Sequence, residues 1–150
     1  MPSSTPVTPA PGEDDLTALV RVAVHRISRR LRQEARAAAD LSQTHICVLA
    51  YLEKNGPATP GELAEEEGVQ PPSMTRIINS LQESDCLTRS AHPSDKRQVL
   101  VELTAPGREL LTQMRQRRSA WLSAGIENLT PAQRNQLRAS AELLLEMVER

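Results

Sequence analysis

The sequence predicts a mainly α-helical fold with one small β-hairpin. Three observations lead there. Apolar residues recur at three- and four-residue spacing over most of the chain, the mark of amphipathic helices. One stretch, from Leu87 to Gly107, changes period: Val99, Val101 and Leu103 alternate with Gln98, Leu100 and Glu102. Phe is absent, and Trp121 and Tyr51 are the only aromatics. A core of Leu, Ile, Val, Ala and Met favours helix-on-helix packing over an aromatic-rich sandwich.

Residues 1–12 hold Pro2, Pro6, Pro9 and Pro11 among Ser and Thr, and are expected to form a disordered tail. From about Asp14 to Ala39, the residues Leu16, Val20, Ala23, Ile27 and Leu31 form one apolar helical stripe. Asp14 and Asp15 suit the positive end of that helix. Its other face carries Arg21, His25, Arg29, Arg32 and Arg36, which reads first as a solvated face and second as an anion-binding one.

Ser42 is placed to cap the next helix, with Leu41 and Ile46 as a hydrophobic staple. That helix turns Ile46, Leu49 and Leu52 inward and stops at Asn55-Gly56-Pro57. Thr59-Pro60-Gly61-Glu62 is a capping box with proline at the first helical position. The short helix it opens ends at Gly68, where left-handed dihedrals are needed. Pro71 and Pro72 fit only the first turn of a helix, and Met74, Ile77, Ile78 and Leu81 form its buried side. After the strand pair, Thr104-Ala105-Pro106 starts a long helix with Leu110, Leu111, Met114, Trp121, Leu122 and Ile126. Thr130-Pro131-Ala132-Gln133 is a further capping box. It opens a last helix carrying Leu137, Ala141, Leu144, Leu145 and Val148.

The domain organisation expected is thus a tail at 1–12, a dimerisation helix at 13–40, a central unit at 41–104 and C-terminal dimerisation helices at 105–150. One small domain cannot bury the apolar faces of three long terminal helices, so a helical homodimer is the economical solution. The formal net charge of −1 gives no bulk attraction for nucleic acid. No apolar run approaches the roughly 20 residues of a membrane span, and no basic-then-apolar leader pattern opens the chain. Two cysteines, Cys47 and Cys86, imply no disulfide framework, and a cytoplasmic protein is expected.

A helix pair followed by a basic-tipped hairpin is the outline of a winged helix-turn-helix, a device for reading duplex DNA. The second helix of such a pair enters the major groove with its N-terminal residues toward base edges. Here those are Pro71, Pro72, Ser73, Thr75 and Arg76, with Asn79 further along the outward face. The prolines leave no backbone donors in the first turn, so side chains must make the contacts. Arg76 can bridge guanine O6 and N7 or bind a phosphate, Thr75 can meet a thymine methyl, and Ser73 suits a phosphate. This face is short-chained, with one acid, Glu83, at its far end. That pattern favours close approach over simple solvation. At the hairpin tip Arg97 is the natural minor-groove finger. Lys96 and Arg89 add charge, and Asp95 is expected to hold an arginine in place.

Several segments occur together: Leu41-Ser42-Gln43-Thr44 before Val48-Leu49, Gly61-Glu62-Leu63-Ala64, and Val69-Gln70-Pro71-Pro72-Ser73-Met74-Thr75-Arg76. After Leu81 come Leu87-Thr88-Arg89, Asp95-Lys96-Arg97 and Leu103-Thr104-Ala105-Pro106-Gly107. Over about residues 14–148 the chain resembles the MarR family, the multiple-antibiotic-resistance type of bacterial transcriptional regulators. The combination of an Asp-x-Arg wing with a following Leu-Thr-x-x-Gly is the specific part. The resemblance implies a homodimer whose first, fifth and sixth helices form the dimerisation region. It also implies a pseudo-palindromic operator, usually a repressor role, and release by a small anion that is often aromatic or phenolic. By that resemblance the effector pocket draws on His25, Arg29, His45 and Trp121. Other members sense oxidants through cysteine.

Two departures stand out. Where a glycine usually precedes the strand leucine, this chain has Cys86. Over 57–104, eight acidic residues face four basic ones, leaving −4, which is unusual for a DNA-binding unit.

Cys47, inside an apolar helix, reads as a core thiol. Cys86, at a helix end, reads as the more exposed one, with Asp85 raising its pKa. A redox-sensing regulator and a winged helix used only for protein contact are the alternatives. No enzyme is expected: His45 and Cys47, two apart, lie on different helix faces, and no Gly-x-Ser-x-Gly, P-loop, His-Glu-x-x-His or paired Cys-x-x-Cys occurs. No cofactor or metal is expected.

Overall fold

A computed structural model describes residues 13–95 and 97–149. The tail expected at 1–12, and Lys96, lie outside the described residues. Six helices and two strands follow in chain order: α1 (Glu13–Arg36), α2 (Gln43–Asn55), α3 (Pro60–Glu66), α4 (Pro71–Glu83), β1 (Leu87–Ala91), β2 (Val99–Leu103), α5 (Ala105–Glu127) and α6 (Pro131–Glu149). The mainly helical fold with a single hairpin is as the sequence predicts. Among the described residues no helix is long and apolar enough to cross a membrane.

Helix boundaries follow the local chemistry. Ser42 caps α2 by accepting from the His45 N–H, and its N-terminal neighbour Leu41 is buried with Ile46. Thr59 and Glu62 form the reciprocal capping box of α3, and Glu62 Oε2 accepts from the Thr59 N–H at 2.7 Å. Thr104 caps α5 through the Gly107 N–H. Thr130 and Gln133 cap the start of α6 reciprocally. Helix α1 ends earlier than the apolar pattern suggests. At Ala38 and Ala39 the N–H groups bond three residues back, to Ala35 and Arg36, and this tighter turn leads the chain to buried Leu41.

The hydrophobic core lies within the central unit. Leu49, Leu63, Met74, Ile78, Leu81 and Val101 are fully enclosed, joined by Ala35 from α1 and by Leu111 and Met114 from α5. Helix α3 packs on α4, α2 packs on α4 and α5, and α1 runs along α5. The ends of the molecule differ. Leu16, Leu19 and Ile27 of α1 are exposed, and α6 contains no buried residue although Leu143, Leu145, Met147 and Val148 are all apolar.

The hairpin pairs antiparallel, with Leu87 opposite Leu103 and Arg89 opposite Val101. The structure adds a third partner that the sequence does not announce. Ala58 exchanges two backbone hydrogen bonds with Val101, at 2.8 and 3.1 Å, and so ties the α2–α3 turn to β2. A one-residue bridge has no periodicity to detect. It follows Gly56, whose φ of 85° redirects the chain at the end of α2.

The junction between α4 and β1 corrects the reading of Cys86. The left-handed residue is Asp85, with φ 57°. Its N–H bonds to Gln82 O, and the Cys86 N–H bonds to Leu81 O, the paired pattern of a Schellman helix end. Asp85 therefore takes the position glycine favours, and Cys86 follows it into the core. The exposure expected for the two thiols is reversed: Cys86 is buried and Cys47 is half-buried. Cys86 is swung inward by the turn, whereas Cys47 sits at the edge of the α2 apolar face.

Candidate nucleic-acid interface

Helices α3 and α4 form the helix pair. Between them, Gly68 adopts φ 61°, and the Gly68 and Val69 N–H groups close the end of α3 on Glu65 O and Ala64 O. This turn sets α4 beside α3 with Met74, Ile78 and Leu81 buried and the opposite face outward. Pro71, Ser73, Thr75, Arg76 and Asn79 are all exposed on α4.

The first turn of α4 offers no free backbone donor. Pro71 and Pro72 have none, and the Ser73 and Met74 N–H groups both bond to Gln70 O. An anion meeting this helix must be held by side chains. Thr75 Oγ1 donates to Pro71 O at 3.0 Å, so its proton is engaged on the helix. Arg76 makes no side-chain hydrogen bond to another described residue.

The wing is ordered by its own polar groups. Asp95 Oδ1 accepts the Arg97 backbone N–H at 3.0 Å, and Asp95 O accepts the Gln98 N–H at 2.9 Å. Asp95 thus holds Arg97 in the wing turn through the backbone amide. An Asx-type turn brings the carboxylate to the amide two residues on, which leaves the Arg97 side chain exposed and free of it. His92 contributes a role the sequence did not reveal: its Nδ1 accepts the Ser94 and Asp95 N–H groups, each at 3.3 Å. Arg89 donates to Asn79 Oδ1 at 2.6 Å, linking β1 to α4.

Three of the acids that make this unit negative are held in local hydrogen bonds. Glu62 caps α3, Glu102 accepts from Ser90 Oγ at 2.7 Å, and Asp95 folds the wing. The backbone and hydroxyl of Thr59 hold the Glu62 carboxyl below its ordinary value. At the end of α3, burial and then the neighbouring Glu66 push Glu67 upward.

The residues expected to form an effector pocket have these surroundings. His25 lines an open groove of about 720 Å³ between α1 and α6, with Leu16, Val20, Val24, Leu144 and Met147 as its apolar floor. Arg21 and Arg32 line the groove with His25, and Arg29, four residues after His25 on the same helix face, is exposed. Trp121 packs under Arg30, 5.9 Å from the guanidinium carbon to the ring centre. His45 bonds to Ser42 Oγ at 2.5 Å through Nδ1, and burial holds its pKa below the ordinary 6.5. Near neutral pH that ring is the uncharged form, a poor cation for a carboxylate.

The sequence profile of the MarR family matches residues 41–99. The chain is 39% identical over 134 residues to an HTH-type transcriptional regulator of Mycobacterium bovis, covering 89% of this chain and 93% of that one. It is 30% identical over 115 residues to the HTH-type transcriptional repressor NicR of Pseudomonas putida, covering 75% and 72%. Among solved structures, RV1404 of Mycobacterium tuberculosis superposes with a TM-score of 0.76 at 24% identity, covering 94% of this chain and 97% of that one. A MepR mutant of Staphylococcus aureus bound to an oligodeoxyribonucleotide superposes with a TM-score of 0.74 at 17% identity, covering 89% and 97%.

Proposed function

The chain belongs to the MarR family of DNA-binding, winged helix-turn-helix transcriptional regulators, and from that premise we propose that it acts as a homodimeric repressor on a pseudo-palindromic operator. Each copy offers α4 to a major groove and the wing to the neighbouring minor groove. Two copies read half-sites about one helical turn apart. The observation that carries this reading is the exposed polar face of α4 next to a wing whose Arg97 side chain is exposed. The printed name of the Pseudomonas putida relative supports the repressor role by analogy.

The dimer is supported by α6. Helices in proteins draw most of their stability from packing an apolar face, and this 19-residue helix has no buried residue. Arg134 ties its start to α5 by donating to the carbonyls of Ile126, Glu127 and Leu129, but its apolar side is uncovered. A second copy laid along α1 and α6 would cover Leu16, Leu144 and Met147, and each leucine so buried contributes about 1.5–3 kcal/mol.

Release by a small anion is the finer part of the proposal. Arg21, His25 and Arg32 beside the α1–α6 groove supply cations for a carboxylate, while the second copy covers the groove's apolar floor.

Sedimentation and footprinting on the chain's own upstream DNA test the proposal together. The expected result is a dimer protecting two half-sites, with Leu144→Arg shifting the protein to monomer and abolishing paired protection. A wild-type monomer, or no sequence-dependent protection at low salt, overturns it. Hydroxybenzoate added to the complex should free the DNA, and unchanged protection at millimolar levels removes that effector class.

A further inference from the structure

We propose that Asn79 and Arg89 together form a phosphate clamp. In this reading the pair takes one backbone phosphate where the DNA strand passes between the helix in the major groove and the wing in the minor groove. The inference rests on the DNA-binding reading above and deepens it.

The two side chains are joined by one short hydrogen bond, Arg89 Nη2 to Asn79 Oδ1 at 2.6 Å. Both are exposed. Asn79 lies four residues after Thr75 and three after Arg76, hence on the same outward face of α4. Arg89 stands opposite Val101 in the hairpin, on the face of the ribbon that meets the helices. The nearest acid of β2, Glu102, is opposite Thr88 and therefore on the other face, where Ser90 engages it. Arg89 belongs to neither of the two ion pairs found among the described residues.

The chemistry of the pair is one-sided. A guanidinium can only donate, so the amide must turn its oxygen toward Arg89. The Asn79 NH2 group then points away from the arginine with two donors. The guanidinium keeps its remaining N–H groups and its full charge. Together they present donors only, which matches a phosphate, an acceptor on every free oxygen. An asparagine reading adenine needs its carbonyl free for the N6 amino group, and here that carbonyl is engaged.

Position agrees with chemistry. With α4 in one groove and the wing in the next, a single sugar-phosphate strand runs between them. The Asn79–Arg89 bond bridges α4 and β1 and stands in that gap. Such a contact fixes register without reading sequence.

The test uses the full chain and DNA selected from a random pool by the wild type. Asn79→Ala and Arg89→Ala should each weaken binding about tenfold, uniformly across sequences, with the selected bases unchanged. Arg89→Ala should also lower the salt slope by about one. A neutral methylphosphonate at one backbone position per half-site should weaken the wild type but add nothing in either variant. Asn79→Asp keeps an acceptor for Arg89 but removes the outward donors. It should lose binding at least as far as Asn79→Ala while its melting temperature holds. Retained binding in Asn79→Asp makes the pair a strut for the wing and overturns the clamp. So does a changed base preference, or no phosphate position coupled to both residues. If the wild type selects no DNA, the DNA-binding reading falls and the clamp with it. If only the variants behave like wild type, the clamp falls alone.

Discussion

Arg115 of α5 holds both carboxylate oxygens of Glu53 on α2, at 2.7 and 2.8 Å. The two residues are 62 positions apart, and their bond ties the long C-terminal helix to the first helix of the central unit. Bidentate geometry makes this the most directional ionic contact between those parts.

Glu53→Gln is expected to destabilise the protein modestly, by about 0.2–1 kcal/mol at neutral pH, because the pair is solvent-accessible. The hydrogen bond from Arg115 depresses the Glu53 pKa below its ordinary 4.5. A depressed carboxylate contributes stability that is present above its unfolded-state pKa and lost as the pH falls through the folded one. Urea denaturation of both proteins from pH 7 to pH 3 should therefore show the difference shrinking below about pH 4.5. A gap that stays constant through this range would assign the effect to packing.

Asp85→Gly should stabilise the chain by about 0.5–1 kcal/mol, since glycine adopts positive φ without the Cβ penalty that Asp85 bears at 57°. The Asp85 carbonyl that accepts from Thr104 Oγ1 belongs to the backbone and is kept. Thermal melting reads the gain. A lower melting temperature would show that the carboxylate does more here than tolerate the turn.

Gly107→Ala should be destabilising by about 3 kcal/mol. A Cβ at Gly107 would stand 2.3 Å from Cys86 O and 2.7 Å from Leu103 Cδ1. The first contact is backbone, and that carbonyl also accepts the Thr104 N–H, so it cannot move aside cheaply. A variant that melts like wild type would mean that α5 can shift away from the hairpin base.

Arg97→Ala should weaken DNA binding for every sequence, because a wing guanidinium senses minor-groove potential. Arg76→Ala should relax preference at particular base pairs, at about 1–3 kcal/mol per position, if it bridges guanine O6 and N7. Binding to randomised operators distinguishes the two. A uniform loss for Arg76→Ala would make it a phosphate contact.

Each helix was legible because its ends are written in short local codes. Ser42, the Thr59–Glu62 box, Pro71-Pro72 and the Thr130–Gln133 box act within four residues of themselves, so spacing alone reveals them. The period-two run of β2 is equally local. The DNA-facing side of α4 could be named because one face of a helix is fixed once its buried residues are known.

The misreadings share one cause. That Asp85 rather than Cys86 takes the left-handed turn depends on where α4 stops against β1. The inward swing of Cys86 follows from it. The Ala58–Val101 bridge, the Asn79–Arg89 bond and the Glu53–Arg115 pair join residues from different elements, at separations no periodicity encodes. The His45–Ser42 side-chain bond and the stacking of Arg30 over Trp121 are likewise contacts that spacing does not specify.

By itself the sequence determined the elements, their order, the buried faces of α2 and α4 and the family, because backbone propensity, capping and amphipathic spacing act over a few residues. Only the tertiary structure decided which polar groups meet. A hydrogen bond requires its atoms to fall within about 3 Å in the right direction. That condition is met only after the helices and hairpin have packed.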